Sequence, residues 1–370
     1  MIERVLVTGG AGFIGSHITD LLLSNNYSVI VLDNLSPQIH RGSSRPDYLS
    51  SEAELIVGDV RDRDSVERAL LGVDAVIHLA ACVGVGQSMY EMASYTQVND
   101  VGTAVLMEAL ACNPVRRLIC ASSMSVYGEG LAQRPEGTQV APAERTAQQL
   151  RSGRWELEDD GVALKPLPTP EGKQPSLSSV YALNKFCQER LCLIAGRAYG
   201  IPAVALRFFN VYGPRQALSN PYTGVLAIFA ARLLNGRPPL VFEDGEQRRD
   251  FVHVRDVATA CLLALKSEAA VGEVFNVGSG ESRSIRSVAE DLSRVMKRDD
   301  IKPHVTSKYR TGDIRHCYAD IRKIRDRLGF APHIGFVQGL GELAGWLSEQ
   351  VAEDRVDRAT AELHERGLVA

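Results

Sequence analysis

Short, continuous apolar runs alternate with amphipathic stretches through the first third of the chain. Arg4-Val5-Leu6-Val7 leads into a glycine-rich turn and a helix-period pattern that continues to Leu23. Further runs fall at residues 27–32, 53–57, 75–79 and 117–121, with helical spacing over 64–71 and 98–111 between them. Unbroken β-branched runs predict strands buried on both faces, and their alternation with helices predicts βαβ units. The pattern therefore predicts a doubly wound, parallel α/β sheet.

From 129 to 179 the pattern breaks. This stretch holds six of the sixteen prolines and little strand periodicity, with a short helix expected over 143–150. So long an irregular segment predicts a surface excursion near a functional site, or partial disorder. It contains neither Cys nor His, which excludes a zinc knuckle, and no metal site is expected elsewhere. Helix and strand patterns resume at Val180 and Ala203, and residues 351–370 read as a charged, amphipathic helix.

Composition narrows the function class. Forty-one Lys and Arg against 45 Asp and Glu give a net charge of −4, which argues against a nucleic-acid binder. The seven cysteines form no C-x-x-C pair and read as reduced thiols, so the cytoplasm is expected. The first residues, MIERVLVTGG, lack a signal-peptide layout, and no apolar run reaches the ~18 residues of a membrane span, so no membrane partner is expected.

The candidate chemistry begins at Thr8-Gly9-Gly10-Ala11-Gly12-Phe13-Ile14-Gly15, between a predicted strand and a predicted helix. Glycines at 9, 12 and 15 permit a tight turn, a close pyrophosphate approach and close helix packing, and the helix N-terminus offers amide donors to phosphates. Asp33 ends the second run, placed to accept both ribose hydroxyls and to repel a 2′-phosphate. This Rossmann-type arrangement favours NAD over NADP, with Arg41 and Arg45 nearby as the competing signal. Tyr181 and Lys185 lie one helical turn apart, so the lysine cation and a nicotinamide ring would lower the phenol pKa and make Tyr181 a base. Ser122, Ser123 and Ser125 follow the fifth run, at the carboxyl edge of the sheet where ligands bind.

Taken in order, these motifs resemble the extended short-chain dehydrogenase/reductases, within them the nucleotide-sugar epimerase/dehydratase group, over residues 3–345. Asp59-Val60, His78-Leu79-Ala80-Ala81, Arg207-Phe-Phe-Asn-Val-Tyr-Gly-Pro-Arg215, Arg249-Asp-Phe-Val-His-Val-Arg-Asp256 and Tyr309-Arg-Thr-Gly-Asp313 extend the match. The resemblance implies catalysis by Ser123, Ser125, Tyr181 and Lys185. It implies an NAD site formed by Gly9, Gly12, Phe13, Ile14, Gly15, Asp33, Asn34, Asp59, Val60, Leu79, Ala80, Ala81, Asn99, Ala121 and Phe208, with Tyr181 and Lys185. It further implies a dTDP- or UDP-linked sugar as substrate, held by Gln87, Ser88, Asn210, Leu240, Phe242, Arg249, Arg310, Asp313 and Cys317. Small Cys317 would leave the sugar site wide; its alternative role is a buried hydrophobe. The implied division is an NAD-binding domain over 1–180 with the insert 129–179, an interleaved remainder and smaller C-terminal α/β substrate lobe over 181–345, and a helical tail over 346–370.

Dehydratases of the group carry an Asp-Glu pair where this chain has Met124-Ser125, so the resemblance implies a 4-epimerase acting on a dTDP-6-deoxyhexose such as dTDP-L-rhamnose, or on a UDP-hexose. A 4-ketoreductase and a non-catalytic dinucleotide-binding sensor are the alternatives. A homodimer through the helices over 98–111 and 181–199 is also implied, with Val101, Val105, Ala109, Leu191, Ala195 and Ala198 as interface candidates.

Overall fold

The structure is a computed structural model that describes residues 2–40, 44–217, 224–310, 312–348, 350 and 356–369, with backbone alone over 356–360. Its frame is a seven-stranded parallel sheet. The strands are β1 (Arg4–Thr8), β2 (Ser28–Asp33), β3 (Glu54–Val57), β4 (Ala75–His78), β5 (Arg117–Ser123), β6 (Ala203–Phe208) and β7 (Val274–Val277). Their spatial order is β3-β2-β1-β4-β5-β6-β7. The winding reverses between β1 and β4, which opens a crevice at the carboxyl ends of those strands.

Alternate side chains of each strand enter separate cores. Val5, Val7, Val29, Val31, Ala75 and Ile77 pack with α1 (Phe13–Ser24) and a helix over Val254–Lys266. Leu6, Ile30, Leu32 and Val76 face α2 (Arg63–Ala69), α3 (Gly102–Cys112) and α4 (Val180–Tyr199) on the opposite side. Burial on both faces explains why the strands read as unbroken apolar runs. A separate core, with Leu226, Phe229, Phe251, Leu292 and Leu340, joins the helices over Val225–Leu234, Ile285–Val295 and Phe336–Leu347.

α4 starts where the sequence predicts, because the Ser179 hydroxyl accepts the Ala182 amide; it stops at Gly200, whose φ of +68° favours glycine. On the outer face of α3 and α4, Val101, Leu183 and Ile194 are 48%, 51% and 58% exposed. Ala109, expected on that face, instead belongs to the core beneath it.

The insert takes the form of a surface excursion, the first of the two alternatives its sequence leaves open. It forms short antiparallel ladders joining Ala132–Gln133 to Gln139–Val140 and to Lys165–Pro166, around a small core of Ala132, Leu157 and Leu164. Its helix spans Ala147–Arg151, later than the pattern suggests, because Thr146 caps it by accepting the Gln149 amide. Among the described residues no helix is long and apolar enough to cross a membrane.

Candidate active site

At the end of β1 the chain turns through Gly9, whose φ is +69°; a Cβ there would stand 2.9 Å from the Ala80 nitrogen. A Cβ on Gly15 would lie 2.3 Å from the Gly9 oxygen, so Gly15 lets α1 close against its own loop. Gly12 meets only the Gly9 oxygen, at 3.3 Å, and no side chain caps the helix it opens. The cradle and the uncapped amides at Phe13 and Ile14 fit a dinucleotide pyrophosphate. Asp33 Oδ2 accepts the Ala11 amide at 3.1 Å and Oδ1 the Leu35 amide at 2.9 Å, so its carboxylate braces the glycine loop from the ribose side.

Arg41 lies outside the described residues. Arg45 turns inward, donating Nη2 to the carbonyls of Ser50 and Ala53 at 2.5 and 2.7 Å. Asn34 donates to Asp59, whose carboxyl Arg61 holds down at about 2. Val60 packs at the start of α3. Leu79–Ala81 follow β4, Phe208 ends β6, and Ala121 lies within β5 two residues before its end, at the carboxyl edge of the sheet. Asn99 is committed to structure: its carboxamide accepts the Cys82 amide at 2.7 Å and donates to the Cys82 carbonyl at 3.1 Å.

Tyr181 and Lys185 share the buried face of α4. The Ser125 hydroxyl bonds Ser123 Oγ at 3.0 Å, and the Ser123 side chain near the Tyr181 phenol favours its ionised form. Burial outweighs that help and pushes the phenol up to about 12. The Lys185 ammonium, one helical turn further on, is held by another acceptor. Lys185 Nζ donates to Gln188 Oε1 at 2.8 Å, and burial pushes the ammonium below its ordinary value. Ser122 faces away from the cleft and donates to Glu189, itself bidentate with Arg207.

Gln188, which the sequence reading missed, lies seven residues after Tyr181 on the same helix face. Its Nε2 donates to Thr103 Oγ1 at 2.8 Å. Thr103 donates to the Asn99 carbonyl, so the proton between Thr103 and His78 Nε2 belongs to the imidazole. Burial pulls His78 down to about 3, and its Nδ1 accepts from Thr8. A neutral chain thus runs from the glycine strand to the lysine.

On the substrate side several expected ligands are otherwise engaged. Ser88 Oγ accepts the Tyr181 amide at 3.0 Å and donates to Val85, so it caps α4 rather than facing a sugar. Gln87 accepts from Gln38 and Tyr95 and donates to Glu91. Arg249 donates to the Arg248, Ile314 and Arg315 carbonyls and to Asp313, bracing the loop rather than reaching freely into the cleft. Cys317 is fully buried with Met124, Tyr127 and Phe209, its sulfur 3.9 Å from Thr169 of the insert; this is the packing role, not the exposed wall.

Of the expected substrate ligands, Asn210 and Arg310 each keep a buried polar atom without a partner among the described residues, Asn210 Oδ1 and Arg310 Nε. The Arg310 guanidinium lies 4.1 Å above the Phe242 ring, and Leu240 heads the short strand leading to it. The C-terminal segment returns here: Val369 bridges Arg310, Leu363 lies over Gly86 and Arg366 over Tyr90.

Relatives share this arrangement over nearly the whole chain. Residues 5–149 and 165–278 match the model of the NAD dependent epimerase/dehydratase family. The chain is 36% identical over 353 residues to a dTDP-L-rhamnose 4-epimerase of Burkholderia thailandensis, covering 94% of this chain and 96% of that one. Its fold is similar to a UDP-glucose 4-epimerase of Thermotoga maritima with UDP-glucose (TM-score 0.77, 32% identity, 94% and 99% coverage). It is also similar to a UDP-glucose 4-epimerase of Thermus thermophilus with NAD (TM-score 0.74, 32% identity, 94% and 100% coverage). With a nucleotide-binding cradle, a tyrosine–lysine helix and matches of this length, the chain belongs to the NAD dependent epimerase/dehydratase family, the nucleotide-sugar branch of the extended short-chain dehydrogenase/reductases.

Proposed function

We propose that the protein is a 4-epimerase of nucleotide sugars, acting on a dTDP-6-deoxyhexose such as dTDP-L-rhamnose or on a UDP-hexose. The observation that carries this reading is the buried Tyr181 and Lys185 on one helix face, next to the bonded hydroxyls of Ser123 and Ser125, with Met124-Ser125 where a dehydratase needs an acid pair. NAD, held by the glycine loop and Asp33, would supply a reversible hydride acceptor for C4 of the sugar. Tyr181 accepts the 4-hydroxyl proton and gives it back, Ser123 steadies the phenolate, and Lys185 adds positive charge beneath it. Arg310 and Asn210 anchor the nucleoside diphosphate, which leaves the sugar free to turn over.

The test is incubation with dTDP- and UDP-sugars without added cofactor, the product read by NMR. Interconversion of C4 epimers, abolished in a Tyr181→Phe variant that keeps bound NAD, is the expected result. Turnover only with stoichiometric NADH or NADPH would identify a ketoreductase instead. The reading includes a homodimer built on the exposed Val101, Leu183 and Ile194 face, with light scattering as its check; a ~40 kDa monomer at micromolar concentration would reject it. It also includes a cytoplasmic location, supported by seven free thiols.

A further inference from the structure

The insert supplies nothing to the hydride chemistry, yet its buried polar side chains converge on one place. Arg145, only 3% exposed, donates Nη1 to Glu243 Oε1 at 2.8 Å and to the Trp155 carbonyl at 3.1 Å. Its Nη2 reaches the Asp313 carbonyl at 2.9 Å. Glu243 directly follows Phe242, the ring beneath Arg310, and has a φ of +53°, a conformation that favours glycine. The Glu243 carboxylate is shared between Arg145 and Arg315, which holds this turn in place.

The same loop is gripped at two further points. The Glu129 carboxylate accepts the Arg315 and His316 amides at 2.8 and 3.1 Å. Glu156 bonds the Arg315 guanidinium at 2.5 Å and His316 Nε2 at 2.8 Å. His316 Nδ1 accepts the Arg248 amide, which leaves the ring proton on Nε2 for Glu156. Buried ion pairs of this kind add little net stability but fix geometry, because misplacing one partner strands a charge.

We propose that the insert is an outer clamp on the nucleotide half of the pocket, with Arg145 as its positioning residue. By holding Glu243 and the Asp313 carbonyl together, Arg145 fixes the Phe242 strand against the loop that carries Arg310 and Asp313. The inference rests on the reading that this half of the cleft takes a nucleoside diphosphate. Arg145 touches no reacting atom, so its loss should weaken nucleotide binding and spare the chemical step.

The test measures UDP and dTDP binding by calorimetry to NAD-loaded wild type, Arg145→Ala and Arg145→Lys, together with kcat, KM and bound NAD. In Arg145→Ala, Kd for the nucleotide and KM for its sugar should rise together by about tenfold or more, while kcat stays within about threefold and NAD content is unchanged. Arg145→Lys should recover part of the loss, because it keeps the charge but cannot fork to both Glu243 and Asp313. If the alanine variant does not fold, the lysine variant carries the test, with Kd raised by about threefold. Folded variants with wild-type Kd, or a fall in kcat alone, overturn the clamp while leaving the functional reading standing. Failure of the wild type to bind either nucleotide overturns that reading, and the clamp with it.

Discussion

Gln188→Leu tests whether the neutral chain behind Lys185 sets the working pH. The substitution roughly conserves volume but removes the Oε1 that accepts Lys185 Nζ at 2.8 Å and the Nε2 that donates to Thr103 at 2.8 Å. A hydrogen bond to a charged group is worth about 1.5–3 kcal/mol, and a pKa unit corresponds to about 1.4 kcal/mol. Lys185 already sits below its ordinary value through burial, so losing its acceptor should lower it further.

The sign follows from which form the bond favours. Gln188 stabilises the ammonium, so without it Lys185 gives up its proton at lower pH. The high-pH limb of kcat should then move down by about 1–2 units, with activity at pH 9 falling more than at pH 7. Gln188→Glu places a carboxylate beside the ammonium and should move that limb up. The assay is the pH dependence of kcat for both variants, with bound NAD and melting temperature as controls. A uniform loss at every pH, or shifts of the same sign in both variants, would refute the assignment and leave Gln188 a packing residue.

Protein denatured after purification should release NAD rather than NADP by mass spectrometry, since Asp33 faces the ribose side and Arg45 is engaged by backbone carbonyls. Cys317→Tyr should lower stability by ~1–3 kcal/mol in thermal melts without changing substrate preference, because the site is filled from the insert side by Thr169. Glu156→Gln should lose stability at neutral pH yet melt with a flatter acid dependence. Burial opposes ionisation of Glu156, but bonds from His316 and Arg315 outweigh it and hold the carboxyl at about 2. Its contribution is full above the unfolded value of 4.5 and fades as pH falls toward 2; at 46% exposure this is about 1–2 kcal/mol after solvent screening. Melts between pH 6 and 3.5 that run parallel for wild type and variant would contradict it.

The frame was legible because local signals carry it. β1, β2, β4 and β5 show as apolar runs since both faces are buried, and the glycine loop shows because a tight turn and a close helix leave room for no Cβ. Tyr181 and Lys185 could be paired because helical spacing puts them on one face. The partners of Ser88, Gln87, Arg249 and Cys317 were not legible for a common reason: motif register gives position along the chain, not the partner each polar group meets. Ser88 finds the Tyr181 amide across 93 residues, and Arg145 finds the Asp313 carbonyl across 168. Gln188 did carry a readable signal, the same helix face as Tyr181 and Lys185, but a glutamine there is ambiguous until Thr103 and His78 are beside it.

Both additions to the seven-stranded frame meet on the loop from Tyr309 to Cys317. The insert binds it at Asp313, Arg315 and His316, and sets Trp155 against Tyr309 with ring centroids 6.3 Å apart. The C-terminal segment reaches it at Arg310 through Val369, and reaches the opposite wall through Leu363 over Gly86. The sheet and α4 position Ser123, Ser125, Tyr181 and Lys185, all within the first 210 residues. The nucleotide half is assembled from chain segments far apart in sequence, and one loop receives contacts from all of them. Substitutions in the insert or the tail should therefore alter which nucleotide sugar is held, and how tightly, before they alter what happens at C4.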